Sequence, residues 1–371
     1  MLRVLLAIWI LSAACPAAGR PQLQFLNGSD REMEIFWLES EGKRVSNGLV
    51  PAGESRIIGT TLGHEFVVRG AGGKEMRVAA KVPVQGFRFD PPGTEGIPEF
   101  YTQVVRMRGF PIVASEKVNP YALKEAAYLA DLMLAKRPDV LEAMILSGAR
   151  LCIMAHDEYT TDLPEFVRMG AEPMHGFEDF SGKDFWDARA RGTGGSRTDP
   201  YCTCGEENLL GYEGDPYAAE NILIHEFAHN IHLRGLVNVD PTFDRRLKET
   251  YDKAMKAGLW KGKYAAVNHF EYFAEGVQSW FDDNRENDHD HNHVNTRKEL
   301  LEYDPALAAI CREVFRDTEF SYTKPVTRLH GHLEGYDPSK APTFKWPKRL
   351  ENIKKAIREK AVARDKAANG G

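Results

Sequence analysis

Residues 225–232 read His-Glu-Phe-Ala-His-Asn-Ile-His, and the spacing of the first two histidines decides how the rest of the chain is read. Four residues on an α-helix advance about 400°, so His225 and His229 project from one face, near enough to share a metal ion. Glu226 sits beside that face, where a carboxylate can take a proton from a water polarised by the ion. The preceding Ala218-Ala219-Glu220-Asn221-Ile222-Leu223-Ile224 holds neither glycine nor proline and is apolar enough to bury as a helix. A pattern as short as H-E-x-x-H also arises by chance. Its meaning depends on a third ligand.

Residues 268–275 supply one: Asn-His-Phe-Glu-Tyr-Phe-Ala-Glu. Glu271 and Glu275 lie four apart and share a helical face. A catalytic zinc takes three protein ligands and keeps a fourth position open, so Glu271 completes a His225, His229, Glu271 set. Glu275, one turn on, is placed to accept the spare ring N–H of a liganding histidine. An idle acidic helix face is the bland alternative. Phe270, Tyr272, Phe273, Ala274, Val277 and Trp280 make the segment apolar, and carboxylates in such surroundings are paired or metal-bound.

Together the two motifs resemble the gluzincins, zinc peptidases whose third ligand is a glutamate on a second helix. The local match is to the catalytic domain of anthrax lethal factor and its relatives. In that group a tyrosine seven residues before the liganding glutamate helps stabilise the transition state. Tyr264 stands seven residues before Glu271 here, in Tyr264-Ala-Ala-Val-Asn268-His-Phe-Glu271-Tyr-Phe-Ala-Glu275. The resemblance therefore implies a zinc metallopeptidase acting on a peptide or protein. It gives Zn2+ held by His225, His229 and Glu271, Glu226 as base, Tyr264 as oxyanion donor, and Glu275 and Asn268 in support. It covers the motifs and the catalytic core around them, not the whole chain.

His232 follows His225 by seven, so it points roughly the same way but about 10.5 Å further along the axis. One straight helix cannot bring it to the same ion as His229. The glycine turn that solves this in the metzincin pattern H-E-x-x-H-x-x-G-x-x-H is missing, because Gly235 falls six positions after His229. His232 is not expected to ligate.

At 371 residues with 43% hydrophobic and 27% charged side chains, the chain suits a soluble protein of two domains. Its net charge of −6 argues against nucleic acid as the main partner. No stretch beyond the start is apolar for long enough to be a transmembrane segment. Residues 1–19 read as a signal peptide: Arg3 is basic, Val4 to Ala14 is a short apolar run, and Pro16-Ala-Ala18-Gly19 offers small residues for cleavage. Secretion or delivery to the periplasm is expected. Anchoring as a lipoprotein at Cys15 is the lesser reading, since Ser12 stands where an aliphatic residue is usual. Cleavage leaves Cys152, Cys202, Cys204 and Cys311, an even count that permits two disulfides in an exported protein. A bond between Cys202 and Cys204 is sterically awkward, so each is expected to reach elsewhere, towards Cys152 and Cys311.

The expected fold is multi-domain: a small all-β sandwich over 20–85, a linker over 86–100, an α+β zincin-like metallopeptidase domain over 101–335, and a basic helical tail over 336–371. Leu23–Leu26, Met33–Leu38, Ser55–Ile58, Glu65–Arg69 and Met76–Ala79 are short, mostly alternating strands separated by Gly, Asn and Pro turns. The run from Asn27 to Trp37, then Val50-Pro-Ala-Gly53, then Thr61 to Phe66 resembles the β domain of the von Hippel–Lindau tumour suppressor. That domain is a peptide-binding module recognising hydroxyproline. Trp37 and His64 match positions lining its peptide pocket, Phe66 replaces a tryptophan, and its pocket tyrosine falls near Asn47 here. The resemblance implies an accessory module for an extended peptide; a plain structural role for Trp37, His64 and Phe66 is the alternative.

Pro83 to Pro98 reads as the linker. Asn119-Pro120 opens a helix to Leu134, Arg137-Pro-Asp139 a second to Leu146, and Ala149–Ala155 is a buried-type strand. A sheet edge beside the metal suits an extended peptide held by backbone pairing. The Gly- and Asp-rich tract over 170–215 is a candidate cleft wall. Asp157-Glu158 and Glu206-Glu207 read as surface or calcium-site pairs. His289, His291 and His293 alternate with polar residues. A second cation there is less expected than a solvated loop. A helix from Lys298 to Phe315 is broken near Asp304-Pro305. Two alternatives to a peptidase are a zincin-fold binding protein without activity, and a zinc hydrolase acting on modified or glycan-linked peptides.

Overall fold

The structure, a computed structural model, describes residues 20–39, 42–90 and 96–369. The expected signal segment with Cys15 and the Pro91-Pro92-Gly93 tract lie outside the described residues.

An N-terminal β-sheet region comes first. Its strands are β1 (Gln22–Asn27), β2 (Met33–Leu38), β3 (Arg44–Val50), β4 (Ser55–Gly59), β5 (Glu65–Arg69), β6 (Glu75–Ala79) and β7 (Val84–Phe89). They form two sheets, β4-β1-β7 and β3-β2-β5-β6. Alternation along each strand sends Leu23, Phe25, Met33, Ile35, Val50, Phe66, Val68 and Phe89 into one core between them. Two strands depart from expectation. β3 carries Ser46-Asn47-Gly48 in its interior and lies at a sheet edge, where polar residues are tolerated. β7 occupies the start of the expected linker and pairs parallel with β1 from Gln22–Val84 to Asn27–Phe89. Pro83 and Gly86 hid that strand from the sequence pattern.

A helical α+β region follows. The hairpin β8 (Gln103–Met107) and β9 (Phe110–Ala114) leads to α1 (Pro120–Met133) and α2 (Pro138–Leu146), then to the wholly buried β10 (Arg150–Met154). Proline fits the first turn of both helices because the missing N–H is unsatisfied there anyway. Next come α3 (Gly182–Arg189), β11 (Gly192–Thr193), β12 (Tyr201–Gly205) and α4 (Glu206–Leu210). The sheet order is β11-β12-β10-β9-β8, with β9, β10 and β12 parallel and both edges antiparallel.

One helical run then crosses the sheet: α5 (Ile222–Asn230), a π-helical segment (Ile231–Leu236) and α6 (Val237–Val239). α7 (Phe243–Lys256), α8 (His269–Trp280), α9 (Arg297–Tyr303), α10 (Pro305–Phe315) and α11 (Glu351–Asn369) complete the chain. The break between α9 and α10 falls at Asp304-Pro305, with Asp304 capping α10 through Leu307 N–H. Within the expected tail, Leu350 and Ile353 bury against Phe177 and Phe185, the latter on α3. No helix among the described residues is long and apolar enough to cross a membrane.

The β region is fastened to the α+β region by backbone contacts. Gly86 N–H donates to Ser147 O at 2.9 Å. Gly148 lies so close that a Cβ there would meet Gly86 O at 2.4 Å, and its φ of +79° also favours glycine. Asn238, at the end of the helical run, takes the Val84 N–H at 2.7 Å and donates to Val84 O at 3.1 Å.

The cysteines correct an expectation. Cys152, Cys202, Cys204 and Cys311 are all buried free thiols. Cys152 faces one side of the sheet with Tyr101 and Val113, whereas Cys202 and Cys204 face the other with Leu151 and Ile153. Opposite faces preclude a bridge between them, since successive strand residues alternate sides. Cys311 lies on α10 beside Asp304. Burial pushes the Cys152 thiol up to about 12, which keeps it inert. The paired carboxylates are corrected too. Glu158, Glu206 and Glu207 are buried and serve internal donors: Ser115 and Ala155 N–H, Asn119 and His156 N–H, and Arg191 respectively.

Candidate metal centre

α5 starts where Asn221 caps it, the side chain accepting from Ile224 N–H at 3.3 Å. Leu223, Ile224, Phe227 and Ala228 bury its inner face, and Phe227 meets Phe110 edge-on at 5.5 Å. That packing turns His225 and His229 to the opposite face, where both are nearly buried and Glu226 is half-buried. α8 lies alongside. Asn268 caps it, its Oδ1 accepting from Phe270 N–H at 2.8 Å and Glu271 N–H at 2.9 Å, which sets Glu271 in the first turn facing α5.

Three ligand atoms converge. His225 Nε2 and Glu271 Oε2 are 3.1 Å apart, His229 Nε2 and Glu271 Oε2 3.3 Å, and the two Nε2 atoms 3.3 Å. Zinc bonds of about 2.0–2.1 Å at tetrahedral angles give an edge of about 3.3 Å, so the triangle fits this ion. Among the described residues, these three form the one His/Cys/Asp/Glu group tight enough to hold a metal. The electrostatics fit as well. Burial disfavours charge on His225, yet the Glu271 hydrogen bond and the carboxylates of Glu226, Glu271 and Glu275 raise it to about 10. Burial would raise Glu271, but His229 and His225 bring it well below the usual carboxylate range. The site is built to hold positive charge.

Behind the ligands, the assignment of Glu275 needs revision. His225 Nδ1–H donates to Gln278 Oε1 at 2.8 Å, while the nearest Glu275 oxygen is 3.5 Å away. Gln278 in turn donates to Glu220 Oε2 at 2.9 Å. This fixes the tautomer that leaves Nε2 free for metal. Glu275 instead receives Asn284 Nδ2 at 3.1 Å and lies 3.3 Å from His291 Nε2. His291 is buried between Glu275 and Asp288, whereas His289 pairs with Asp290 and His293 rests edge-on against Tyr303. The three histidines do not come together. Replacing Gln278 with alanine is expected to weaken zinc binding by about 10–100-fold while the fold survives, as read by competition with a chromophoric chelator. Unchanged affinity would show that the amide does not orient His225.

Tyr264 opens a short 3-10 turn (Tyr264–Ala266), its ring 6.1 Å from that of His225. Arg189, at the end of α3, donates to Tyr264 Oη at 3.5 Å. Sequence reasoning missed this arginine. Glu226 is raised by burial, against the opposing pull of His225, His229 and Arg189. β11 runs along the same helix: a Cβ on Gly192 would meet Glu226 Cγ at 2.9 Å, and one on Gly194 would meet the His229 ring at 2.5 Å. The glycines of the tract over 170–215 thus let an edge strand approach the metal ligands. His232 points away into the π segment, buried against Phe243, Phe270 and Phe273, 3.0 Å from Asp244 Oδ1.

In the β region, Trp37 and Phe66 are paired neighbours across β2 and β5. Phe66 is 2% exposed and packs edge-on against Phe25 at 5.3 Å, so it belongs to the core. Trp37 lies 5.4 Å from the His64 ring, and His64 Nδ1 is 3.1 Å from Thr60 Oγ1. His64 also borders a shallow depression of about 340 Å³ with Leu38, Arg44, Gly63, Glu65 and Arg77. Neither protein-family models nor curated proteins yield a match to this chain.

Proposed function

We propose that this chain is an exported, zinc-dependent metallopeptidase of the gluzincin type, with an accessory β-sandwich that binds an extended peptide. The single observation that carries the reading is the buried triangle of His225, His229 and Glu271 ligand atoms with Glu226 on the same helix. When bound, zinc polarises the scissile carbonyl and acidifies water. Glu226 takes the proton that water loses and passes it to the leaving amine, a role favoured by the upward shift that burial gives it. Tyr264 O–H, held neutral because burial raises it far above its ordinary value, donates to the developing oxyanion. Gln278 and Glu220 hold the His225 ring at its angle. The free side of β11 offers backbone groups to an extended substrate beside Glu226.

The test is zinc content together with cleavage of a peptide library. One zinc per chain and cleavage abolished by a chelator, then restored by zinc, are expected. A zinc-loaded protein that cleaves nothing in the library would favour the binding-protein alternative, and absence of zinc binding would end the reading altogether.

A further inference from the structure

Arg189 stands apart from other buried and half-buried arginines. Arg150 pairs with Glu165, Arg191 with Glu207, Arg285 with Glu220 and Arg328 with Glu125. Arg234 is spread over backbone carbonyls at Ser147 and Arg197. Arg189 is half-buried, yet among the described residues its one hydrogen-bond partner is the neutral Tyr264 phenol at the long distance of 3.5 Å. Among the described residues no carboxylate lies within ion-pair reach of it. A guanidinium has five donors arranged to grip a carboxylate through two parallel hydrogen bonds, so most of its capacity here is unspent. Its place is also informative. It ends α3 three residues before Gly192, where an added Cβ would meet Glu226 Cγ at 2.9 Å, and its bond goes to the tyrosine whose tilted ring lies 6.1 Å from that of His225. Its charge acts on both Glu226 and Glu271.

We propose that Arg189 recognises a carboxylate of the substrate next to the scissile bond, making this an enzyme selective for acidic peptides or for a free C-terminus near the cut. The inference rests on the peptidase reading above. Arg189 sets a guanidinium beside Glu226 and Glu271 without pairing with either. A cation kept this close to a metal ion is costly unless an anion arrives with the ligand. The substrate then brings the missing partner, and Arg189 clamps it while Tyr264 turns to the reacting carbonyl. An acidic side chain and a terminal carboxylate present the same group, and only matched peptides tell them apart.

The experiment compares zinc-loaded wild type, Arg189→Met and Arg189→Lys on peptide pairs that differ by one charge. One pair exchanges Glu for Gln within two residues of the cut. The other exchanges a free C-terminal carboxylate for its amide at that distance. A preference of about 10–100-fold in kcat/KM for the charged member of one pair is expected in the wild type. It should vanish in Arg189→Met and survive in part in Arg189→Lys. A second readout needs no turnover: calorimetric affinity of zinc-loaded Glu226→Gln for capped octapeptide mixtures containing either Glu or Gln, with and without the Arg189 substitution. Equal treatment of both pairs by the wild type would overturn the proposal, as would an equal loss on charged and neutral peptides in Arg189→Met. A wild type that cleaves nothing but binds the Glu mixture more tightly through Arg189 would overturn the peptidase reading and the enzymatic selectivity with it, leaving carboxylate binding by Arg189 alone.

Discussion

Replacing Glu226 with glutamine is expected to lower kcat by about 10²–10⁴-fold while zinc remains stoichiometric. The substitution keeps shape and polarity but removes the site that takes the proton. Glu226 lies outside the ligand triangle of His225, His229 and Glu271, so the metal should not notice its loss. Burial raises the carboxylate against the opposing pull of its two histidine neighbours and Arg189, the direction that favours holding a proton during transfer. Metal analysis alongside single-turnover cleavage reads both halves of the expectation. Full activity in a zinc-loaded Glu226→Gln protein would refute the base assignment, whereas loss of both activity and zinc would move Glu226 into the ligand set.

Glu271→Ala should act at an earlier stage. Apparent zinc-binding energies of about 10–16 kcal/mol, shared over a handful of ligands, make each worth several kcal/mol, so affinity should fall about 100-fold or more. The helix itself should persist, because Asn268 still caps it and Tyr272, Phe273 and Val277 still bury. Chelator competition with circular dichroism as a control separates the two effects. Affinity within tenfold of wild type would mean that His225 and His229 find their third partner elsewhere.

The legible features were those written in neighbouring residues. Asn119-Pro120, Asp304-Pro305 and the i,i+4 histidines each act within a turn or two of their own position, so α1, the α9–α10 break and the ligand face could be read directly. Glu271 was legible because a carboxylate amid Phe270, Tyr272 and Phe273 needs a reason to be buried. Gln278 carried a signal that went unused: it stands seven residues after Glu271, two turns along the same face. Arg189 carried none, since its meaning comes from α3 and the Tyr264 turn meeting across 75 residues of chain. The thiols failed as a prediction for the same reason. Which side of a sheet Cys152 and Cys202 occupy depends on the register between β10 and β12, and the spacing of cysteines does not encode it.

The helical run over 222–239 starts beside the candidate metal centre and ends against the β region. His225 and His229 sit near its start, and Asn238 at its finish grips both backbone groups of Val84. Its length is on the order of 25 Å. It therefore joins the candidate metal face to the β region through one unbroken stretch of helix, with no loop between them.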